Sequence, residues 1–152
     1  SSFSKGAYEQ PRLVIDDHQV ALAICYEIIF SAMVAQQVAG SDYLVTLSND
    51  AWFGDSHGPQ QHLEIAQIRA LEYGIPIIRG TNDGISAFID ADGRLIKTLA
   101  KGVAGTMQHQ LALYSGMTPY RSMGPTWVLV ILFSTFVLGL VLTHKSKSHE
   151  PD

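Results

Sequence analysis

The sequence of 152 residues has little charge and almost no cysteine. Its one cysteine, Cys25, excludes an internal disulfide framework and a cysteine-rich zinc site. Charged residues make up 16% of the chain, against about 25% in soluble domains, and the formal net charge is −4. An acidic chain without a basic run is a poor nucleic-acid binder, and a hydrophobic fraction of 47% is too high for intrinsic disorder. Globular and membrane proteins are the classes that this composition leaves open.

The shortage of charge is concentrated in one stretch. No Asp, Glu, Lys or Arg occurs between Arg121 and Lys145, and residues 125–143 contain no ionisable side chain. A helix over those residues would be about 28 Å long, close to the roughly 30 Å hydrocarbon core of a bilayer. We therefore predict a transmembrane helix in residues 122–143. A buried core helix is the alternative for such a run.

Basic residues follow this stretch at once, at Lys145 and Lys147. By the positive-inside rule, residues 144–152 are expected to form a short cytoplasmic tail, which places residues 1–121 on the opposite side of the membrane. The first ten residues, SSFSKGAYEQ, contain neither an apolar run nor an initiator Met. We therefore expect that an N-terminal part precedes them and that this chain is a C-terminal fragment.

Apolar runs of strand and helix period alternate over residues 1–121, with turn residues between them. The predicted strands are 19–24, 43–47, 75–78, 85–89, 94–99 and 106–112, and the predicted helices are 27–39 and 60–73. This order predicts an α/β layered domain that contains a β-hairpin.

Cys25 lies at the end of the first apolar strand and directly before a predicted helix. At such an elbow the helix N-terminus favours the thiolate, and the backbone N–H groups from Tyr26 onward can face a developing oxyanion. This layout is typical of a cysteine nucleophile in acyl transfer. On geometry alone, a small buried core residue stays an alternative. Glu27 is interpreted as a capping carboxylate more readily than as a general base.

Further candidates follow the predicted strands. If the strands are parallel, loop residues at their carboxyl ends lie at the same sheet edge as Cys25. The candidate substrate-binding residues are Glu27, Asn49, Trp52, Phe53 and Asn82. Trp52 and Phe53 form either an apolar lip of the site or a packed loop anchor, and the Tyr26 ring either lines the pocket or packs. For Asn82, turn chemistry is a sufficient explanation without any function.

Histidines invite a metal interpretation, which we reject. His62 and Glu64 are two residues apart on a predicted helix and do not face one another, while His57 lies in a loop. We expect no metal and no cofactor, with His62 at a helix start or in a pocket wall.

Three segments resemble a known family when taken together in order: AICYEIIF, then residues 42–95 with NDAWFGDSHGP and RALEYGIPIIRGTNDG, and SGMTPY before the apolar helix. They resemble the apolipoprotein N-acyltransferases, inner-membrane members of the bacterial nitrilase (carbon–nitrogen hydrolase) superfamily, over about residues 3–143. The resemblance implies a partial nitrilase-like αββα sandwich in residues 1–121, on the periplasmic face. One transmembrane helix would follow this C-terminal half of a catalytic domain and return the chain to the cytoplasm.

The same resemblance implies a mechanism. Cys25 matches the nucleophile of a Glu–Lys–Cys triad, which accepts an acyl chain from a phospholipid in the membrane and passes it to the N-terminal amine of an apolipoprotein. The family's Glu and Lys lie well upstream of the cysteine, and 24 residues precede Cys25 here. We therefore expect this chain alone to be inactive. A nitrilase-type amidohydrolase and a non-enzymatic, membrane-tethered binding domain are the alternatives.

Overall fold

The structure, a computed structural model, describes residues 11–124 and 126–147. Six strands form one sheet in the order of the sequence: β1 Leu13–Ile15, β2 His18–Ile24, β3 Tyr43–Asn49, β4 Ile77–Asn82, β5 Ser86–Ile89 and β6 Leu95–Leu99. Strands β2, β3 and β4 are parallel, whereas β1, β5 and β6 are antiparallel to their neighbours. The carboxyl ends of β2, β3 and β4 therefore meet at one sheet edge.

Helices connect the parallel strands and cover one face of the sheet. The α-helices are α1 Ser31–Val38, α2 Gly58–Tyr73, α3 Pro119–Met123 and α4 Thr126–Lys147. Two 3₁₀ helices follow strand ends: the elbow helix Cys25–Ile29 after β2 and the loop helix Asp50–Phe53 after β3. The start of α2 carries a proline, and Gly74 ends the helix in the left-handed region with φ 63°.

The hydrophobic core lies between this sheet and the pair α1 and α2. Alternate residues of the strands face the helices and are buried, as are the apolar residues that meet them from α1 and α2. The buried cluster includes Ala21, Ala23, Val34, Val38, Leu44, Leu63, Ala66, Ala70, Ile77, Ala87 and Ile89. The other face of the sheet carries apolar side chains that are only partly covered, such as Leu22, Val45 and Phe88. One sheet with one covered face confirms the predicted α/β class and accounts for part of a nitrilase-like sandwich.

Two predicted elements need correction. The predicted helix 27–39 is two helices, because Phe30 has an extended backbone between the elbow helix and α1. The predicted strand 106–112 is wrong, since no residue of it pairs with a strand. The segment instead meets side chains of the last two strands: the His109 ring lies 5.7 Å from the Phe88 ring, and the Lys97 ammonium donates to the Gln108 carbonyl at 3.2 Å.

Strand β1 was not predicted, although its turn has a readable sequence. Asp16 and Asp17 both have positive φ, 48° and 66°, which is the conformation of a tight two-residue hairpin turn. The three strand residues that precede this turn are exposed, so no apolar alternation marks them. The hairpin is defined by its turn and not by burial.

Helix α4 is long and apolar enough to cross a membrane. Residues 126–143 have a mean hydropathy of 2.3, and none of them is buried against the rest of the described chain. The transmembrane span of 122–143 stays a prediction; in the structure Ser122 and Met123 belong to α3, whose C-cap Gly124 has φ 67°, and α4 begins at Thr126. Part of the predicted tail, residues 148–152, lies outside the described residues.

The segment before α4 is attached to the other helices. The Arg121 guanidinium donates to the carbonyl of Val38, the last residue of α1, at 2.9 Å and to that of Ser41 at 3.2 Å. The hydroxyls of Tyr120 and Ser31 lie 2.7 Å apart, and the Thr118 hydroxyl donates to a carbonyl of α2. Helix α3 therefore packs on α1 and α2 as part of the same unit.

Candidate active site

Cys25 occupies a strained turn at the sheet edge. It follows β2 directly, and its backbone lies in the left-handed region with φ 53°. For a non-glycine residue such a conformation costs of order 1–3 kcal/mol, and residues of this kind cluster at functional sites. The side chain is partly exposed, so Cys25 is not a buried core residue. The turn directs the chain out of the strand and leaves the thiol accessible.

The N-terminal end of the elbow helix is capped by Glu27. Its carboxylate oxygen Oε2 accepts a hydrogen bond from the Ile24 backbone N–H at 2.7 Å. This contact supports the capping interpretation, and the assignment of Glu27 to substrate binding stays a prediction. Tyr26 is in the first turn, where backbone N–H groups have no partner within a helix. Its assignment as an oxyanion donor likewise stays a prediction.

The C-terminal end of the elbow helix is held by α2. The Arg69 guanidinium donates through Nε to the Ile28 carbonyl at 2.9 Å and through Nη2 to the Ile29 carbonyl at 2.7 Å. The Tyr73 hydroxyl donates to the Ser31 carbonyl at 2.7 Å, and burial raises the pKa of this phenol. The two Arg69 donors satisfy carbonyls that a short helix leaves free at its end, and Tyr73 bonds the first residue of α1 to α2.

A buried charged cluster lies beneath the elbow. Asp50, the first residue after β3, is fully buried, and its Oδ2 accepts from Nη2 of Arg79 at 2.7 Å. Its Oδ1 lies 3.0 Å from Nδ1 of His62 and 2.5 Å from the Ser48 hydroxyl. Burial lowers the pKa of Arg79, while the Asp50 carboxylate opposes that shift. A buried ion pair with several hydrogen bonds is costly to break, because the remaining charge is left without a partner.

The cluster contacts Cys25 at two atoms. Nε2 of His62 lies 3.3 Å from the Cys25 carbonyl oxygen, and the Ser48 hydroxyl lies 3.5 Å from the Cys25 sulfur. Register explains the second contact, since Ile24 and Leu47 are paired and the next residues of the two strands are therefore neighbours. In the described parts of the chain, Ser48 alone is within hydrogen-bond distance of the sulfur.

Sequence reasoning did not find this cluster. The sequence pattern does not mark Ser48 or Arg79, it places Asp50 only in the loop at the same sheet edge as Cys25, and it predicts His62 at a helix start or in a pocket wall. The available signal was a set of polar side chains in apolar surroundings, such as Arg79 inside the buried strand β4. His62 is buried in α2 and stacks with the Tyr26 ring, at a centroid distance of 5.5 Å. No group of possible metal ligands occurs among the described residues.

Asn49 and Asn82 lie together at the ends of β3 and β4. The two residues are paired in register, and the Asn82 side-chain amide donates to the Asn49 side-chain oxygen at 3.1 Å. The same oxygen accepts from the Ala51 backbone N–H at 3.3 Å and so supports the loop helix. Their place at the edge agrees with the parallel arrangement, and their role in substrate binding stays a prediction.

Trp52 and Phe53 differ in their surroundings. The Phe53 ring packs 6.0 Å from both the Tyr26 and His62 rings, and a side chain at Gly58 would collide with it at 2.1 Å. The Phe53 ring is therefore packed within the loop, and its assignment to substrate binding stays a prediction. Trp52 is 87% exposed beside it and is the residue of the pair that is free to contact a ligand.

Comparison with known proteins identifies the family. A family model for carbon–nitrogen hydrolases matches residues 2–120. The chain belongs to the carbon–nitrogen hydrolase family. This agrees with an accessible cysteine at the carboxyl edge of a parallel sheet.

Curated relatives of this carbon–nitrogen hydrolase are named apolipoprotein N-acyltransferase. The chain is 48% identical to the protein of Vibrio vulnificus over 132 residues, 86% of this chain and 26% of the relative. It is 47% identical to that of Haemophilus influenzae over 136 residues, 88% of this chain and 26% of the relative. For Shewanella oneidensis the identity is 41%, over 97% of this chain and 29% of the relative. The chain therefore spans about a quarter of the length of these relatives.

Solved structures of the same superfamily share the fold. An amidase from Nesterenkonia sp. AN1, with the acetamide moiety of fluoroacetamide added at its active-site cysteine, matches with a TM-score of 0.53 and 25% identity. The match covers 65% of this chain and 40% of the amidase. Nit3 of Saccharomyces cerevisiae matches with a TM-score of 0.54 at 17% identity, over 65% of this chain and 39% of that chain. The second similarity is one of fold alone.

Proposed function

We propose that this chain carries the nucleophile of an N-acyltransferase that matures bacterial lipoproteins. Cys25 would receive an acyl chain from a phospholipid and pass it to the N-terminal amine of a diacylglyceryl-cysteine apolipoprotein. The observation that carries the proposal is the accessible Cys25 thiol on a strained elbow, in a chain 41–48% identical to proteins named for this activity.

The chemistry would take place in two steps at one sulfur. In the first, the Cys25 thiolate attacks the sn-1 ester carbonyl of the phospholipid, a C–S bond forms, and the C–O bond breaks. The lysophospholipid alkoxide leaves and takes up a proton. In the second, the uncharged acceptor amine attacks the thioester, an amide forms, the amine loses a proton, and the thiolate leaves. A single nucleophile thus serves both half-reactions.

The described residues around Cys25 are assigned to holding it and not to proton transfer. Glu27 caps the elbow helix, and Asp50 is paired with Arg79 and fully buried. The general base and the positive charge of the mechanism are therefore assigned to the Glu and Lys that the family resemblance places upstream of the nucleophile. Residues 1–152 alone are expected to form no acyl thioester.

The surface beside the thiol is suited to an acyl chain. Trp52 is 87% exposed, and Tyr26 is half exposed although its ring stacks on the His62 ring. Apolar side chains that remain in solvent mark surfaces for apolar ligands or partners. We assign Trp52 and Tyr26 to contact with the lipid acyl chain, and we assign α4 to the inner membrane, with residues 1–121 on the periplasmic side.

The decisive experiment uses the complete protein in phospholipid vesicles. Cys25→Ser keeps the size of the side chain but replaces the thiol, and we expect it to abolish both the acyl thioester and lysophospholipid release. Ser56→Ala, an exposed loop residue, is the control and should form thioester normally. Lipoprotein N-acylation by a Cys25→Ala variant would overturn the assignment of the nucleophile. So would a thioester trapped on any other residue.

An amidohydrolase is the second candidate, because solved relatives in this superfamily include an amidase with a covalent adduct at its active-site cysteine. Such an enzyme would transfer the acyl group to water. The two candidates differ in product: N-acylated lipoprotein from the transferase, and a free carboxylic acid from the hydrolase. Mass spectrometry of the products with and without the amine acceptor separates them.

A further inference from the structure

Two polar groups of Cys25, its thiol and its carbonyl, are connected to one buried carboxylate. His62 lies between the Cys25 carbonyl and Oδ1 of Asp50, at 3.3 and 3.0 Å. Ser48 lies between the Cys25 sulfur and the same Oδ1, at 3.5 and 2.5 Å. Arg79 holds the other oxygen of Asp50 at 2.7 Å. The nucleophile therefore has two separate links to a fixed point in the core.

We propose that Ser48 and His62 are positioning residues, which fix the thiol and the backbone carbonyl of Cys25 relative to the buried carboxylate of Asp50. The proposal rests on the proposed function, because it concerns the same thiol. Ser48 sets the rotamer of the side chain, and His62 sets the strained backbone of the elbow.

The link through Ser48 depends on the single proton of its hydroxyl, which has two possible acceptors. A serine hydroxyl carries one proton and accepts at its lone pairs. At 2.5 Å its oxygen is close to Asp50, so the hydroxyl donates there while Cys25 is a neutral thiol, and the hydroxyl oxygen is then an acceptor for the S–H group. When the sulfur becomes a thiolate, rotation about the C–O bond brings the same proton to the sulfur, 3.5 Å away. Both acceptors are then charged, and Asp50 keeps its contacts with His62 and Arg79 when the Ser48 proton turns to the sulfur.

The link through His62 acts on the backbone. Both ring nitrogens face oxygen acceptors, a carbonyl and a carboxylate, so both contacts are hydrogen bonds at once only when both nitrogens carry protons. The ring is fixed from the side as well, because it packs against Tyr26 and Phe53. His62 is therefore rigid enough to hold the Cys25 carbonyl in the orientation that a positive φ requires.

The test compares matched variants of the complete protein in phospholipid vesicles. Ser48→Ala removes the hydroxyl, Ser48→Thr keeps it, and Ser41→Ala is the control, because the Ser41 hydroxyl bonds the Gln37 carbonyl away from the site. For the second link, His62→Gln keeps a donor near the position of Nε2, whereas His62→Asn keeps one near Nδ1. The measurements are the rate of thioester formation at saturating phospholipid, the half-saturating concentration, and the alkylation rate of Cys25 by iodoacetamide.

For Ser48→Ala we expect the saturated rate of thioester formation to fall about 10- to 100-fold, from the usual worth of a hydrogen bond to a charged group. The half-saturating concentration should not change, since Ser48 is assigned no contact with lipid. Ser48→Thr and Ser41→Ala should stay within about threefold of the wild type. His62→Gln should retain more activity than His62→Asn, because it preserves the bond to the Cys25 carbonyl.

Three results would overturn the proposal: a normal rate for Ser48→Ala, equal losses for Ser48→Ala and Ser48→Thr, or equal losses for the two His62 variants. Alkylation keeps the test separate from the proposed function. If the wild type forms no acyl thioester, the proposed function fails, but slower alkylation of Cys25 in Ser48→Ala than in Ser48→Thr still supports the positioning roles. Equal alkylation in those two variants contradicts them.

Discussion

The two 3₁₀ helices at the sheet edge differ in how they are attached. The elbow helix Cys25–Ile29 is bonded at both ends, by Glu27 at its start and by Arg69 at its end. The loop helix Asp50–Phe53 is attached by its first residue, which is fully buried, whereas Trp52 is 87% exposed. Both helices follow parallel strands that are neighbours in the sheet.

The difference shows how one edge can both hold a nucleophile and present a binding surface. In the elbow helix, side chains from α2 satisfy the backbone, so the position of Cys25 depends on tertiary contacts. In the loop helix, the buried Asp50 and the packed Phe53 ring fix the two ends, and Trp52 between them is left exposed. Four substitutions, made in the complete protein, test this contrast.

The largest effect is expected at Asp50, which serves both helices. Asp50→Asn keeps the shape of the side chain but leaves the buried Arg79 charge without its anion. Removing one partner of a buried pair costs about 3–5 kcal/mol of unfolding free energy. Urea unfolding measures this loss, with Asp55→Asn as the control, since Asp55 is fully exposed and should change stability by less than about 0.5 kcal/mol. Equal stability of the two variants would show that the cluster does not anchor the edge.

A smaller effect is expected at Arg69, which bonds the elbow helix and pairs with Glu72 of its own helix. Arg69→Met keeps much of the side-chain length but removes both bonds to the Ile28 and Ile29 carbonyls. Hydrogen bonds from a charged group contribute about 1.5–3 kcal/mol, so we expect a loss of about 2–3 kcal/mol. Hydrogen exchange should rise in residues 25–31 and not in the loop helix. The matched variant is Arg94→Met, whose guanidinium is exposed; an equal loss there would argue against the role of α2.

Glu27 should have a modest effect on stability. Glu27→Ala removes the acceptor for the Ile24 N–H and should cost about 1 kcal/mol, as for other capping residues. Glu27→Gln keeps an acceptor at this position and should recover most of the stability and of the thioester rate. Loss of all activity in Glu27→Gln, with normal stability, would instead make Glu27 a general base. Unfolding and thioester assays on both variants decide between these roles.

The smallest effect on stability is expected at Trp52. An exposed ring contributes little to folding, so Trp52→Ala should change the unfolding free energy by less than about 0.5 kcal/mol. If Trp52 contacts the acyl chain, the phospholipid concentration at half-saturation should rise several-fold. Phe53 is the packed neighbour, and Phe53→Ala should mainly lower the unfolding free energy, by about 3 kcal/mol. A Trp52→Ala variant with unchanged lipid dependence would remove this residue from the binding surface.

Much of the fold was predictable from local pattern. The strands at 19–24 and 43–47, the helix at 60–73 and the place of Cys25 at a strand end follow from hydrophobic period and turn residues, and the structure has elements at each of these places. Cys25 could be singled out because its elbow is local in sequence. The break at Phe30 was not visible, since apolar residues continue across it.

The cluster below Cys25 could not be predicted in this way. Asp50 and Arg79 are 29 residues apart, and their pairing depends on the register of β3 against β4. His62 reaches Asp50 only because α2 packs over the same edge. A charged residue inside a buried strand indicates that a partner exists, but only tertiary structure identifies it.

The spacing of polar residues on α2 has a consequence for how the chain can vary in length. Arg69 and Tyr73 follow His62 on α2 by seven and eleven residues. At about 100° per residue, both side chains therefore lie within about 20° of the direction of His62 around the helix axis. An insertion of one residue at 64 would turn Arg69 and Tyr73 by about 100° away from the carbonyls that they bind while His62 stays in place. The rotation of this part of α2 about its axis is therefore fixed by its contacts with the elbow helix as well as by its contacts in the core. The stretch 103–115 has no helical or strand repeat to keep, so a residue gained or lost there shifts single contacts, such as those of Gln108 and His109, and rotates no helix face.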